Sequence, residues 1–119
     1  MNGPEIRRTL EKGGLLTLTV VGRKSGKETS FPVQYVSKDD LIFLLPFMGR
    51  STNWYLNITR NSKVKITVGD NTFEANSEVI VDEKGVQQVV SLFTKRYGRK
   101  MMDNFYPKKD VAVRVPLPE

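Results

Sequence analysis

The stretch LLTLTVVGRKSGKETSFPVQYV, Leu15–Val36, decides the fold. Leu16, Leu18 and Val20 fall on one side of its first segment and Thr17 and Thr19 on the other, the period-2 pattern of a half-buried strand over Leu15–Val21. Gly22-Arg23-Lys24-Ser25-Gly26-Lys27 breaks the pattern as a turn. Thr29–Val36 resumes it, with Phe31, Val33 and Tyr35 on one face. Pro32 cannot donate to a strand ladder and marks this second strand as an edge or a bulge. The whole reads as an antiparallel hairpin.

Outward from the hairpin the same grammar repeats. Upstream, Pro4–Leu10 reads as a short helix ended by Gly13-Gly14. Downstream, Leu41–Leu45 is continuously apolar and reads as a strand buried on both sides. Pro46-Phe47-Met48-Gly49-Arg50 breaks it, and Ser51 or Thr52 can cap a short helix from Asn53 to about Arg60. Lys63–Val68 alternates, turns at Gly69-Asp70-Asn71 and returns as Thr72–Val81, with Phe73, Ala75, Val79 and Val81 on one face. Asp82 caps the one long helix, whose apolar stripe is Val86, Val89, Val90, Phe93 and Tyr97 and whose end is Gly98. Val111–Val115 is a last short strand.

Composition agrees. Val, Ile and Thr make up 28 of the 119 residues, whereas alanine, the best helix former, occurs only at Ala75 and Ala112. The chain is therefore expected to be mainly β in an α+β arrangement: an antiparallel barrel of about six strands, one long C-terminal helix and short helices. No repeat or linker divides residues 1–119, so one domain is expected.

The chain has neither cysteine nor histidine. This excludes a zinc ribbon, an iron–sulfur site, a thiolate nucleophile and any Ser-His-Asp mechanism, and no metal site is expected. Catalysis by such a chain must draw on a bound cofactor. A formal net charge of +6 suits an anionic partner. No apolar run reaches the ~18–20 residues of a membrane span and no signal-peptide core opens the sequence, so a cytoplasmic protein without membrane contact is expected.

Three segments can carry chemistry. The turn Arg23-Lys24-Ser25-Gly26-Lys27 places cations and a hydroxyl on flexible backbone, suited to a phosphate; it also reads as a solvated hairpin turn. It is not a P-loop, because three residues rather than four separate its glycines, Glu28 follows Lys27, and a strand rather than a helix comes next. The segment Phe47-Met48-Gly49-Arg50-Ser51-Thr52 joins apolar groups suited to a flat ring to a cation and a helix N-terminus; it also reads as an ordinary loop with an N-cap. Lys95, Arg96, Arg99, Lys100, Lys108 and Lys109 interleave with Tyr97, Phe105 and Tyr106, a pattern compatible with single-stranded nucleic acid or with an ordinary solvated helix face.

The ordered set of motifs resembles one family. Gly22-Arg23-Lys24-Ser25-Gly26 followed by Pro32-Val33-Gln34-Tyr35 resembles the G-R-K-[ST]-G…P-[LV]-x-[YF] pattern of the deazaflavin-dependent nitroreductases. Trp54-Tyr55-Leu56-Asn57-Ile58 resembles that family's W-Y-x-N-[LI], and Asn61-Ser62-Lys63-Val64 its A-N-P-x-V. Thr29 stands where the family commonly has Arg, and Leu45-Pro46-Phe47-Met48-Gly49 replaces its A-S-x-G-G loop. The resemblance implies a split β-barrel, related to flavin-binding pyridoxamine-phosphate-oxidase-like proteins, and hydride transfer from reduced coenzyme F420, an 8-hydroxy-5-deazaflavin with a phosphate and a polyglutamate tail. It places Arg23, Lys24 and Ser25 at the phosphate or tail end and the loop Leu45–Arg50 beside the ring; Lys27, Thr29, Pro46, Phe47, Met48, Arg50, Ser51 and Trp54 complete the candidate cofactor-binding set, although Trp54, with Tyr55 and Ile58, reads first as a core contact of the short helix.

The expected activity is therefore an oxidoreductase passing hydride to a small unsaturated, nitro or quinone-like acceptor, with Tyr35, Tyr55, Tyr97 and Tyr106 as candidate proton donors. FMN is the alternative cofactor. A basic barrel that binds nucleic acid or merely carries a cofactor is the competing non-enzymatic class; it is disfavoured because Phe31, Tyr35 and Phe73 share their faces with apolar neighbours, as core residues do. A homodimer is the expected assembly.

Overall fold

The computed structural model describes residues 3–118. In chain order the elements are α1 (Gly3–Glu11), β1 (Leu15–Val21), β2 (Glu28–Gln34), β3 (Val36–Lys38), β4 (Leu41–Leu44), α2 (Asn53–Arg60), β5 (Lys63–Val68), β6 (Asn71–Asn76), β7 (Glu78–Ile80), α3 (Glu83–Tyr97), α4 (Arg99–Phe105) and β8 (Ala112–Pro116). The strands form two antiparallel sheets of four, ordered β2-β1-β5-β6 and β3-β4-β8-β7. The strand count is corrected from about six to eight, and among the described residues the strands form two four-stranded sheets and no closed barrel; the mixed α+β, antiparallel character is as expected.

Both extra strands arise where one apparent strand passes from the first sheet to the second. The segment expected as Thr29–Val36 ends its pairing with β1 at Gln34, and Val36–Lys38 pairs instead with β4. Between them the Tyr35 ring is buried and its hydroxyl donates to the Leu10 carbonyl at 2.9 Å. The segment expected as Thr72–Val81 breaks at Ser77, whose backbone N–H and Oγ both bond the Ser62 carbonyl at 2.8 Å. Beyond that break Val79 and Val81 are exposed, contrary to the single-face reading, because β7 joins the other sheet and starts a new phase.

The core lies between the sheets. Leu16, Leu18 and Val20 of β1 and Val64, Ile66 and Val68 of β5 meet Ile42 and Leu44 of β4 and Val113 and Val115 of β8. A second cluster covers the opposite side of the β3-β4-β8-β7 sheet: Val89 and Phe93 of α3, Met102 of α4 and Tyr106, packed on Leu45 and Ala112. The β8 neighbours Ala112 and Val113 are both buried because both faces of the strand are covered. In β4 only Ile42 and Leu44 are fully buried, while Leu41 and Phe43 are half-buried, so this strand alternates rather than being uniformly enclosed.

Helix α3 follows its sequence closely. Asp82 Oδ2 accepts the Gly85 N–H at 2.8 Å as N-cap, Val86, Val89 and Phe93 are buried, and Gly98 ends the helix at φ +91°. Helix α4 was not foreseen. It restarts directly after Gly98, with Met102 as its buried anchor. Among the described residues no helix is long and apolar enough to cross a membrane.

Candidate functional site

The turn between β1 and β2 is built largely by its own backbone. Gly22 N–H donates to the Lys27 carbonyl at 2.8 Å and Gly26 N–H to the Gly22 carbonyl at 2.9 Å. Gly26 sits at φ +72°, where glycine has no side chain to strain. Ser25 Oγ accepts the Lys27 N–H at 3.1 Å, so this hydroxyl shapes the turn. Arg23, Lys24 and Lys27 are exposed, and among the described residues none of them meets a carboxylate. Thr29 is exposed on β2 and pairs in register with Val20.

One contact ties this turn to the rest of the protein. Asn57 Oδ1 on α2 accepts both the Arg23 backbone N–H at 3.1 Å and the Arg23 Nη1–H at 2.8 Å. Sequence reading passed over Asn57 as a site residue. The available signal was a polar residue on the apolar side of a short helix, three positions after Trp54.

The loop after β4 is held from two directions. Thr52 stands at the N-cap of α2, but its Oγ1 accepts the Met48 N–H at 2.9 Å and makes no bond to the helix's own N–H groups. Arg50 Nε donates to Asp110 Oδ2 at 2.8 Å and its backbone N–H to Asp110 Oδ1 at 3.2 Å. The Arg50 cation, expected to face an anionic ligand, is thus engaged within the chain. Gly49, at φ +58°, lies under that carboxylate: a Cβ there would stand 2.1 Å from Asp110 Oδ1. Pro46 is buried, and Ser51 is exposed at the end of the 3₁₀ turn Gly49–Ser51.

Beside this loop lies an open cleft of about 210 Å³ lined by Leu15, Pro32, Val33, Gln34, Leu45, Phe47, Trp54, Phe105 and Tyr106. Trp54 is buried against its wall. Leu15 (63 % exposed), Phe47 (54 %) and Phe105 (63 %) leave large apolar faces uncovered around it. Apolar surface of this kind, concentrated at one cleft, marks a place that receives a partner or ligand. Met48, next in line, is also exposed. Helix α2 joins the two parts of the site, with Trp54 at the cleft and Asn57 at the basic turn.

The four tyrosines separate clearly. Tyr35 is enclosed at the α1–β2 junction, where burial raises its pKa. Tyr55, on α2, is buried and likewise raised by burial, with the Arg50 charge opposing. The Tyr97 hydroxyl donates to the Tyr35 carbonyl, and its ring stands 5.7 Å from that of Phe93. Only Tyr106 lines the cleft. Its hydroxyl donates to Gln34 Oε1 at 2.9 Å, and burial pushes its pKa up to about 12. Tyr97 and Tyr106 both flank Phe93 in the core, which leaves Phe105 alone uncovered in the basic tail. Successive stacking of bases along that tail therefore has no platform.

A larger groove of about 760 Å³ lies elsewhere, between α3 and the second sheet, with Lys38, Phe43, Gln88 and Arg114 among its lining. It shares no residue with the smaller cleft. The smaller cleft is the better candidate because uncovered apolar surface surrounds it and α2, which carries Trp54 at the cleft, also carries Asn57 at the cationic turn. Among the described residues no group of three or more His, Cys, Asp or Glu is arranged to hold a metal ion.

Comparison with known proteins identifies the family. The family described as F420H(2)-dependent quinone reductase matches residues 1–115. No curated protein matches the sequence. Among solved structures, an F420-H2 dependent reductase is similar at 20 % identity and TM-score 0.67, over 85 % of this chain and 92 % of its own. A conserved hypothetical protein from Mycobacterium tuberculosis is similar at 21 % identity and TM-score 0.76, over 100 % of this chain and 82 % of its own. A structure described as a domain-swapped dimer is similar at 19 % identity and TM-score 0.68, over 94 % of each chain.

Proposed function

Since the chain belongs to the F420H(2)-dependent quinone reductase family, we propose that it passes hydride from reduced F420 to a small quinone-like acceptor, with nitro and other electron-poor unsaturated compounds as further acceptors. The reading includes a single split-barrel domain over residues 1–119 and a cytoplasmic homodimer; the domain-swapped neighbour supports the last of these.

The residues present fit a cofactor that joins a flat ring to an anionic tail. The observation that carries the reading is the pairing, along α2, of an uncovered apolar cleft with a cationic turn that meets no carboxylate among the described residues. Arg23, Lys24 and Lys27 hold the phosphate and tail, since charge-assisted hydrogen bonds are the strong ones. Phe47, Pro32 and Trp54 shape the apolar place for the ring and exclude water from one side of it. Bound F420 supplies the hydride. Tyr106 keeps its proton at any physiological pH and holds it at the edge of the cleft, oriented by Gln34. The protein's contribution is orientation and electrostatics, as with other cofactor enzymes.

The test is a titration of the purified protein with F420 and, separately, FMN, followed by fluorescence. Binding of F420 well below about 100 μM is expected, a free energy beyond roughly 5 kcal/mol. Failure to bind at that level removes the reading, and tighter binding of FMN transfers it to a flavin. Mixing the F420H2-loaded protein with a water-soluble quinone and with a nitroaromatic then ranks the acceptors.

A further inference from the structure

We infer that Asn57 is a positioning residue: it aims Arg23 at the anionic part of the ligand without spending the arginine's charge. The inference rests on the reading of the turn as the phosphate-binding end. Asn57 is 7 % exposed on α2, and one oxygen, Oδ1, accepts both the main-chain N–H and the side-chain Nη1–H of Arg23. Backbone and guanidinium are thereby fixed to the same point of a helix. Without that contact the exposed Arg23 would sample many rotamers and pay their entropy on binding.

The chemistry of the acceptor is the informative part. Arg7, Arg50 and Arg114 each meet a carboxylate, from Asp40, Asp110 and Glu78. Arg23 meets a neutral amide. A carboxylate would hold the guanidinium as firmly but would cancel its field, and a phosphate would then face a neutral pair. An amide oxygen orients the group and leaves the full positive charge. Only Nη1–H of the side chain's five N–H groups is engaged among the described residues, so the rest of the planar fork is available for bidentate contact.

The experiment measures F420 dissociation constants for the wild type, Arg23→Ala, Asn57→Ala, Asn57→Asp and the double variant Arg23→Ala/Asn57→Ala, with a thermal midpoint for each. Asn57→Ala is expected to weaken binding about 3- to 10-fold, the range for a lost orienting hydrogen bond. The double variant should bind like Arg23→Ala alone, because Asn57 acts only through Arg23. Asn57→Asp preserves shape and both hydrogen bonds, yet it should weaken binding at least as much as Asn57→Ala. Wild-type affinity in Asn57→Asp, or an Asn57→Ala loss that persists undiminished without Arg23, overturns the inference. Should Asn57→Ala fail to fold, the isosteric Asn57→Asp decides alone. A wild type that binds no F420 overturns the proposed function and this inference with it; a wild type that binds, beside Asn57 variants that bind equally well, overturns only the inference.

Discussion

Asp110 grips Arg50 at two points, its Oδ1 on the backbone N–H at 3.2 Å and its Oδ2 on Nε at 2.8 Å. Burial alone would raise the Asp110 pKa, but the side-chain and backbone hydrogen bonds from Arg50 outweigh it and the net value falls below the ordinary 3.8. A carboxyl whose folded pKa is depressed contributes stability that is present above its unfolded pKa and is lost as pH falls through the folded value. Asp110→Asn is therefore expected to lower stability by up to about 1 kcal/mol at pH 7, as befits a half-exposed pair. Denaturant titrations of the two proteins should converge as pH falls through the depressed Asp110 value.

The same carboxylate sits where a Cβ of residue 49 would be. Gly49→Ala adds the strain of a positive φ to that collision and is expected to cost about 1 to 3 kcal/mol. Adding Asp110→Ala to Gly49→Ala should recover part of the loss. Equal melting temperatures for Gly49→Ala and the wild type would show that the loop shifts without cost.

Arg23→Ala/Lys24→Ala removes two exposed cations that meet no carboxylate among the described residues. Stability should fall by no more than about 1 kcal/mol, because Asn57 Oδ1 loses the guanidinium N–H but keeps the backbone one. F420 binding should weaken by ~1–3 kcal/mol, and its salt dependence should flatten. Unchanged affinity in an isothermal titration would make the segment an ordinary hairpin turn.

Phe47 and Trp54 line the same cleft from opposite states of burial. Trp54→Ala is expected to cost about 3 to 5 kcal/mol of stability, because the indole belongs to the core between the sheets. Phe47→Ala should leave the thermal midpoint almost unchanged and raise the F420 dissociation constant instead. Thermal melts and ligand titrations on the pair separate the two roles.

Tyr106, with its pKa pushed up to about 12, keeps its proton longer when folded than when unfolded. Its contribution is complete below the unfolded value near 10 and disappears as pH rises through the folded one. Below the unfolded value it amounts to roughly 2 to 3 kcal/mol. Stability of Tyr106→Phe should accordingly fall less steeply over that alkaline window. At neutral pH the same variant is expected to lower kcat, with no new ionisation appearing in the pH–rate profile below about pH 9.

Where local chemistry and tertiary structure agree, the sequence was readable. The alternation of β1 and β5, the Asp82 cap and the apolar stripe of α3 all come from side-chain period and capping, and each appears as expected. The passages between sheets at Tyr35 and Ser77 left no local signature. At both points an extended backbone simply exchanges one hydrogen-bonding neighbour for another, which depends on distant strands. The turn and loop of the site were visible as unusual composition. The engagement of Arg50 by Asp110 and of Arg23 by Asn57 was not, because these partners lie 60 and 34 positions apart and no spacing rule connects them.

Helix α2 touches both ends of the site, and this makes it a ruler. Trp54 and Asn57 are three residues apart on a stiff helix, about 4.5 Å along its axis. The distance between ring cleft and cationic turn is therefore not free to adapt to whatever enters. A ligand whose flat head and charged tail are joined by a spacer of the right reach satisfies both ends at once; a shorter or longer one must give up one of them. Selectivity of this kind discriminates by length before any atom of the ring is inspected.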